Sequence, residues 1–300
     1  MRIEGVFVAV TSPFDSEGKF SAAVFESHLE WLAESGVNGF VPCGTTGESP
    51  VLTRNERALM ISASCRIASK KSLRVIAGCG SNSTAAALEM LQEAKGLGCH
   101  AGLVVTPYYN RPTQRGLIAH YETLADRSEL PLVLYNVPGR TNVNITPETA
   151  GRLLRHPQII GIKEASGQWS QWLELSHATD LNSRSFLAGD DNAFAAILAL
   201  GGTGIISACA NVSPHSFVAL YRAAKAGNWS EAFYIQKKIN PLVQSLFLET
   251  SPAPIKFALK YLNKIPGFES HLRLPLVPVE TKTEAAVVAA LESLEATVEL

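Results

Sequence analysis

Ile159-Ile160-Gly161-Ile162-Lys163-Glu164 is a short apolar run that ends on charge. A run of this length suits a strand buried on both faces, because parallel strands covered by helices are apolar almost throughout. Seven more such runs occupy 6–10, 39–43, 74–78, 102–106, 132–137, 186–189 and 204–208. Between them lie segments with helical periodicity, such as Leu29, Leu32 and Ala33, or Leu59, Met60, Ala63 and Ile67. Thr53-Arg54-Asn55-Glu56 reads as a capping box, while Thr146-Pro147 and Ser213-Pro214 place a hydroxyl at the cap and proline at the first helical position. Eight strand-helix units in a row predict an α/β fold, a closed (β/α)8 barrel of the TIM type.

After the eighth unit the strand signal stops. Helical patterns fill 229–249, 254–264 and, from a second capping box Thr281-x-x-Glu284, 285–294. The expected organisation is a barrel over 1–226 that carries the active site, and a C-terminal helical extension over 227–300. No low-complexity linker separates them, so the extension is expected to pack on the barrel.

Composition narrows the class of partner. With 46% hydrophobic and 18% charged residues, the 300-residue chain can bury a large core. Its 26 basic and 27 acidic side chains form no block of like charge, which argues against nucleic acid and anionic membranes and favours a small molecule. The five cysteines are scattered without a Cys-x-x-Cys pair, as expected of reduced thiols. No apolar run has the length of a signal peptide's core or a membrane span, so a cytoplasmic protein is expected. No metal-ligand spacing occurs among the histidines and acids, and no cofactor is implied.

In a parallel barrel, chemistry sits where the strands end at their carboxyl side. Strand alternation places Ile159, Gly161 and Lys163 on one face and Ile160, Ile162 and Glu164 on the other. Lys163 then points into the barrel mouth, with Gly161 leaving space below it and Glu164 turned away. A lysine amine withdrawn from water is suited to attack a carbonyl, the activation route of imine-forming lysines. Tyr135 shares the inward face of its strand with Val133 and can relay protons. Thr45 and Thr46, between Gly44 and Gly47, can hold a carboxylate through amides and hydroxyls. Arg140, after a Pro-Gly turn, offers a bidentate fork. Taken singly, each has a plainer reading: a lysine reaching out to solvent, a core tyrosine, an ordinary glycine-threonine turn, an exposed loop arginine. The glycine-threonine motif lacks the lysine and spacing of a phosphate-binding loop.

Taken together, Gly-Thr-Thr-Gly-Glu-Ser at 44–49, Tyr-Tyr-Asn-Arg-Pro at 108–112, Tyr-Asn-Val-Pro-Gly-Arg-Thr at 135–141 and Gly-Ile-Lys-Glu-Ala-Ser at 161–166 resemble the dihydrodipicolinate synthase family of pyruvate-dependent Schiff-base aldolases. Gly189-Asp190-Asp191, Gly204-Ile205-Ile206-Ser207 and Arg273-Leu274-Pro275-Leu276 extend the match along nearly the whole chain. The resemblance implies that Lys163 forms an imine with pyruvate, whose enamine attacks L-aspartate-4-semialdehyde. It further implies that Thr45, Tyr135 and Tyr109 relay protons, with Tyr109 supplied by a neighbouring subunit of a homotetramer built as a dimer of dimers. Thr46 would hold the pyruvate carboxylate, Arg140 would bind the semialdehyde, and carbonyls near Gly189 and Ile206 would line the site.

Two departures stand out. Asn142 occupies a position where the family usually has glycine. Arg54, Arg57 and Ala86 replace the two histidines and glutamate of lysine-inhibited relatives, although Asn82 and Tyr108 are kept, so weak or absent inhibition by L-lysine is expected. The rival reading within the superfamily is N-acetylneuraminate lyase or a 2-keto-3-deoxy sugar acid aldolase. Thr45 and Arg140 favour the synthase, since the lyases read Gly-Ser-Thr-Gly-Glu and lack that arginine. A barrel that has lost catalysis and serves as a sensor is the rival from another class, and the intact set of polar residues at the mouth argues against it.

Overall fold

The computed structural model describes residues 1–180 and 182–295. Eight parallel strands close into a barrel in sequence order: β1 (Gly5–Val8), β2 (Gly39–Phe40), β3 (Arg74–Gly78), β4 (Ala101–Val105), β5 (Leu132–Asn136), β6 (Ile159–Glu164), β7 (Ser185–Ala188) and β8 (Gly204–Ser207). Closure is made by β1 against β8, with Phe7 opposite Ile206. The predicted (β/α)8 architecture is therefore observed.

Alternation sorts the strand side chains into two cores. Phe7, Val41, Ile76, Leu103, Val133, Leu187 and Ile206 fill the barrel, while Val8, Phe40, Val75, Ala77, Val104, Leu134, Ile162, Phe186 and Ile205 face the helices. That outer layer is covered by α1 (Ala22–Glu34), α2 (Arg54–Lys70), α3 (Thr84–Gly96) and α4 (Gln114–Arg127) and, beyond a one-turn α5 (Pro138–Thr141) at the end of β5, by α6 (Pro147–Leu153), α7 (Trp169–Ala178), α8 (Phe194–Ala199) and α9 (Pro214–Lys225). Thr53 and Glu56 form the capping box expected for α2, and Thr146 caps α6 with Pro147 in its first turn. Ser213 instead gives its hydroxyl to Ser216 and leaves α9 without a side-chain cap.

Strict alternation fails at the start of β6. The register against β5 jumps from Leu132 opposite Ile159 to Val133 opposite Gly161, so Ile160 is the extra residue of a bulge. Ile160 therefore enters the barrel core and Ile159 the outer core, the reverse of the expectation. Beyond the bulge the pattern recovers, with Ile162 outward and Lys163 level with Tyr135. Gly161 also serves differently from the expected gap. A Cβ there would lie 2.4 Å from the Ser185 carbonyl oxygen, so the glycine lets β7 approach closely. The second strand stops early, at Phe40, because Pro42 has no N–H to continue the ladder and Cys43 turns to φ +58°.

Three helices follow the barrel: α10 (Trp229–Ser245), α11 (Ala253–Leu262) and α12 (Thr281–Glu295). Thr281 is already helical rather than a cap, and the Glu280 carbonyl accepts from Thr283 and Glu284. Residues 296–300 of the expected extension lie outside the described residues. Packing runs from α10 to α9 and α12. Gln236 of α10 accepts from the Ala195 amide and donates to the Asp191 carbonyl, which satisfies backbone groups just after β7. Among the described residues, no helix is long and apolar enough to cross a membrane.

Candidate active site

Lys163 ends the inward row of β6 and is 6% exposed. Its Nζ stands 4.2 Å from the centroid of the Tyr135 ring, its register partner on β5. Among the described residues it forms no ion pair, which is unusual for a buried lysine. Lys163 opens into a cavity of about 80 Å³, bordered also by Thr45, Thr46, Tyr135, Arg140, Gly189 and Asp190. A larger cavity of about 460 Å³ shares Thr45, Tyr135 and Arg140 with it and continues toward Ser49, Arg57 and Tyr108.

The register is locked just past these two residues by a buried network. Asn136, opposite Glu164, donates to its Oε2 at 2.9 Å, and Gln171 of α7 donates to the same oxygen at 3.2 Å. The Ser166 amide donates to Oε1 at 2.6 Å. Glu164 thus points away from Lys163, as alternation predicted. Burial pushes its carboxyl above the usual range, and these hydrogen bonds hold it back.

The loop bearing Thr45 and Thr46 is a tight double turn, in which the Gly47 and Glu48 amides donate to the carbonyls of Gly44 and Thr45. Glu48 closes it at φ +51°, a left-handed conformation that costs energy for a residue with a side chain. Compensation comes from its carboxylate, which is buried with the Lys256 ammonium 2.7 Å from Oε1 and the Arg273 amide 3.2 Å from Oε2. Lys256 sits on the apolar face of α11 and also donates to the His271 carbonyl. Arg273 pairs with Glu56, and both cations lie over the Phe14 ring, at 4.4 Å for Lys256 and 4.2 Å for Arg273. The C-terminal helices therefore brace the loop that would hold the substrate carboxylate. Sequence reasoning did not single out Glu48 or Lys256. The available signal was a lysine at a core position between Ile255 and Ala258, where a charge requires a partner.

Arg140 lies on α5, exposed, and borders both cavities. Asn142 caps that turn at φ +59°. Asparagine is the residue after glycine that best tolerates this conformation, so the departure from glycine preserves the turn that presents Arg140. Gly189 borders the small cavity, and its amide donates to the Glu164 carbonyl at 2.7 Å. Ile206 is sealed in the barrel core and borders neither cavity. Tyr109 is 90% exposed, at φ +73°, and its own chain does not bring it to the cavity.

Two carboxyls beside the lysine were also passed over as site residues. Asp190 borders the cavity, and Asp191 behind it accepts from the Ser207 hydroxyl and the Cys209 amide. Burial pushes both carboxyls up, Asp191 to about 6, against the opposing charge of Lys163. Arg57, 7% exposed, donates to Ser49 Oγ at 3.0 Å and to the Gly78 carbonyl at 2.7 Å, while Arg54 pairs with Glu93. Among the described residues, no group of three or more His, Cys, Asp or Glu is arranged to hold a metal ion.

A closed parallel barrel with helices at its C-terminal end, and with a lysine, a tyrosine and a Gly-Thr-Thr-Gly loop at the carboxyl ends of its strands, defines a (β/α)8-barrel enzyme of the lyase class. The chain belongs to the dihydrodipicolinate synthetase family, whose model matches residues 2–294. It is 44% identical over 273 residues to the 4-hydroxy-tetrahydrodipicolinate synthase of Thermodesulfovibrio yellowstonii, covering 91% of this chain and 92% of that protein. The solved dihydrodipicolinate synthase of Thermotoga maritima superposes with a TM-score of 0.94 at 38% identity, over 97% of this chain and 98% of that one. The chloride-inhibited synthase of Acinetobacter baumannii, solved with pyruvate, gives 0.93 at 38% identity, over 98% and 99%.

Proposed function

We propose that this enzyme condenses pyruvate with L-aspartate-4-semialdehyde to give 4-hydroxy-tetrahydrodipicolinate, the step that enters the diaminopimelate route to lysine. The observation that carries the reading is a buried lysine without an ion-pair partner, its amine against the Tyr135 ring, bordering the same small cavity as Thr45, Thr46 and Arg140. Relatives of nearly equal length bear the name of this activity.

The Lys163 amine attacks the keto carbon of pyruvate, and loss of water leaves an imine. The imine draws electrons from the methyl group, which gives up a proton and becomes an enamine carbon. That carbon attacks the aldehyde of the second substrate, whose own amine then displaces Lys163 as the ring closes. Tyr135 and Thr45 carry protons to and from the lysine, Thr46 holds the pyruvate carboxylate, and the Gly189 backbone lines the pocket. Arg140 holds the semialdehyde carboxylate. No cofactor is needed.

Tyr109 completes the relay from a neighbouring copy, a role suited to a side chain that projects from its own fold. The assembly is a homotetramer made of two such dimers, in the cytoplasm. Residues 1–226 form the catalytic barrel and 227–300 the unit that braces it. Borohydride reduction in the presence of pyruvate, followed by peptide mapping, tests the mechanism. It is expected to trap pyruvate on Lys163, and an adduct on another lysine, or none, overturns the assignment.

A further inference from the structure

All five cysteines are free thiols, and they fall into two groups. Cys43, Cys79 and Cys209 are sealed in the core, where burial pushes the first to about 11, the second to about 12 and the third well above its usual value. Such thiols hold their protons and are poor nucleophiles. Cys65 and Cys99 face each other instead, with their sulfurs 3.9 Å apart. Cys65 lies on α2 and is half-buried, whereas Cys99 is buried in the turn between α3 and β4. The hydrogen bond from Cys99 lowers the pKa of Cys65, which marks the more accessible sulfur as the nucleophile.

Their place in the barrel matters. Cys99 precedes β4 by two residues, and Cys65 lies in the second half of a helix that runs back toward the start of β3. Both therefore sit at the N-terminal face, opposite Lys163, where barrel residues serve stability rather than chemistry.

We propose that Cys65 and Cys99 are an oxidative modification site, a dithiol that closes to a disulfide in exchange with a small-molecule disulfide and braces the N-terminal face of the barrel. The Cys65 thiolate attacks one sulfur of the oxidant, expels one small thiolate and becomes a mixed disulfide. Cys99 then loses its proton and attacks Cys65 Sγ, which releases the second small thiol. The protein loses two electrons and two protons, and the oxidant is reduced to two thiols. The sulfurs, now 3.9 Å apart, must close to about 2.05 Å. Because the bond joins segments 34 residues apart in sequence, it restricts the unfolded chain and stabilises the fold.

The test uses the full-length enzyme with oxidised glutathione. Expected are a mass loss of about 2 Da for two hydrogens, a 65–99 cross-linked peptide, a higher melting temperature reversed by dithiothreitol, and unchanged turnover. Cys99→Ser is expected to retain one glutathione on Cys65, and Cys65→Ser to remain unmodified. The proposal is overturned by glutathione remaining on wild-type Cys65 while Cys99 still alkylates, by a bond through any other cysteine, or by no reaction. A lower melting temperature or lost turnover on oxidation overturns the bracing role.

Discussion

Lys256 donates to Glu48 Oε1 at 2.7 Å, with both side chains sealed from water, and so a helix beyond the barrel fixes the loop that carries Thr45 and Thr46. Removing one partner of a buried pair strands the other charge. Lys256→Met is therefore expected to destabilise the fold by about 3–5 kcal/mol and to lower kcat/KM by loosening the loop. Adding Glu48→Gln is expected to restore part of the stability, because the stranded carboxylate is then neutral. Urea melts of the two variants check this, and equal stability of single and double variants would count against the pair.

Tyr135→Phe keeps the ring that lies against the Lys163 amine and removes only the hydroxyl. The fold is expected to survive while kcat falls roughly 100- to 10,000-fold, the usual range for losing a proton-transfer group. Borohydride trapping of pyruvate should slow without vanishing. Full activity in this variant would remove Tyr135 from the relay.

Arg140 is exposed on a one-turn helix and contributes little to the core. Arg140→Ala is expected to raise the KM for the semialdehyde at least tenfold, the loss of a charge-assisted hydrogen bond of about 1.5–3 kcal/mol, and to leave pyruvate imine formation intact. Steady-state kinetics with each substrate varied in turn measures the split. Equal losses for both substrates would contradict the assignment, and turnover with a sugar aldehyde alone would favour the sugar acid aldolases.

Weak inhibition by L-lysine is expected from the cleft beside the active site. Its buried cation, Arg57, repels an ammonium, and the sequence has Ala86 in place of the glutamate of lysine-inhibited relatives. Activity should persist through sub-millimolar lysine. Strong inhibition in that range would sink the expectation.

The Glu56–Arg273 pair sets an acid limit on stability. Hydrogen bonding to Arg273 lowers the Glu56 carboxyl from 4.5 to about 2, so the folded state binds this proton less readily than the unfolded one. Its contribution is complete above about pH 4.5 and is lost as pH falls toward 2. Glu56→Gln is expected to melt lower at neutral pH and to show a flatter decline across that acid window. Melting temperatures at a series of pH values provide the check.

Gly161, two residues before Lys163, faces the rigid backbone of β7, and Gly161→Ala places a methyl 2.4 Å from the Ser185 carbonyl oxygen. A destabilisation of about 1–3 kcal/mol is expected from overpacking, with a loss of activity as β6 shifts. Denaturant melts and kinetics together measure it, and a neutral effect would mean that β7 can move aside.

Much of this enzyme was legible before any coordinates. Eight apolar runs separated by helical periodicity specify the barrel, because a strand covered on both faces must be apolar and an amphipathic helix must repeat every three to four residues. Alternation counted back from Lys163 placed the amine inward and Glu164 outward, since the last residues of β6 pair regularly with β5. Candidate residues could be named because the carboxyl ends of barrel strands converge on one face. What the sequence could not contain was the bulge at Ile160, which exists only as a mismatch between two strands, or the close approach that makes Gly161 necessary. Nor could it pair Glu48 with Lys256, 208 residues away, or Cys65 with Cys99. Local pattern determines which face a side chain takes, and the tertiary structure alone decides what it meets there.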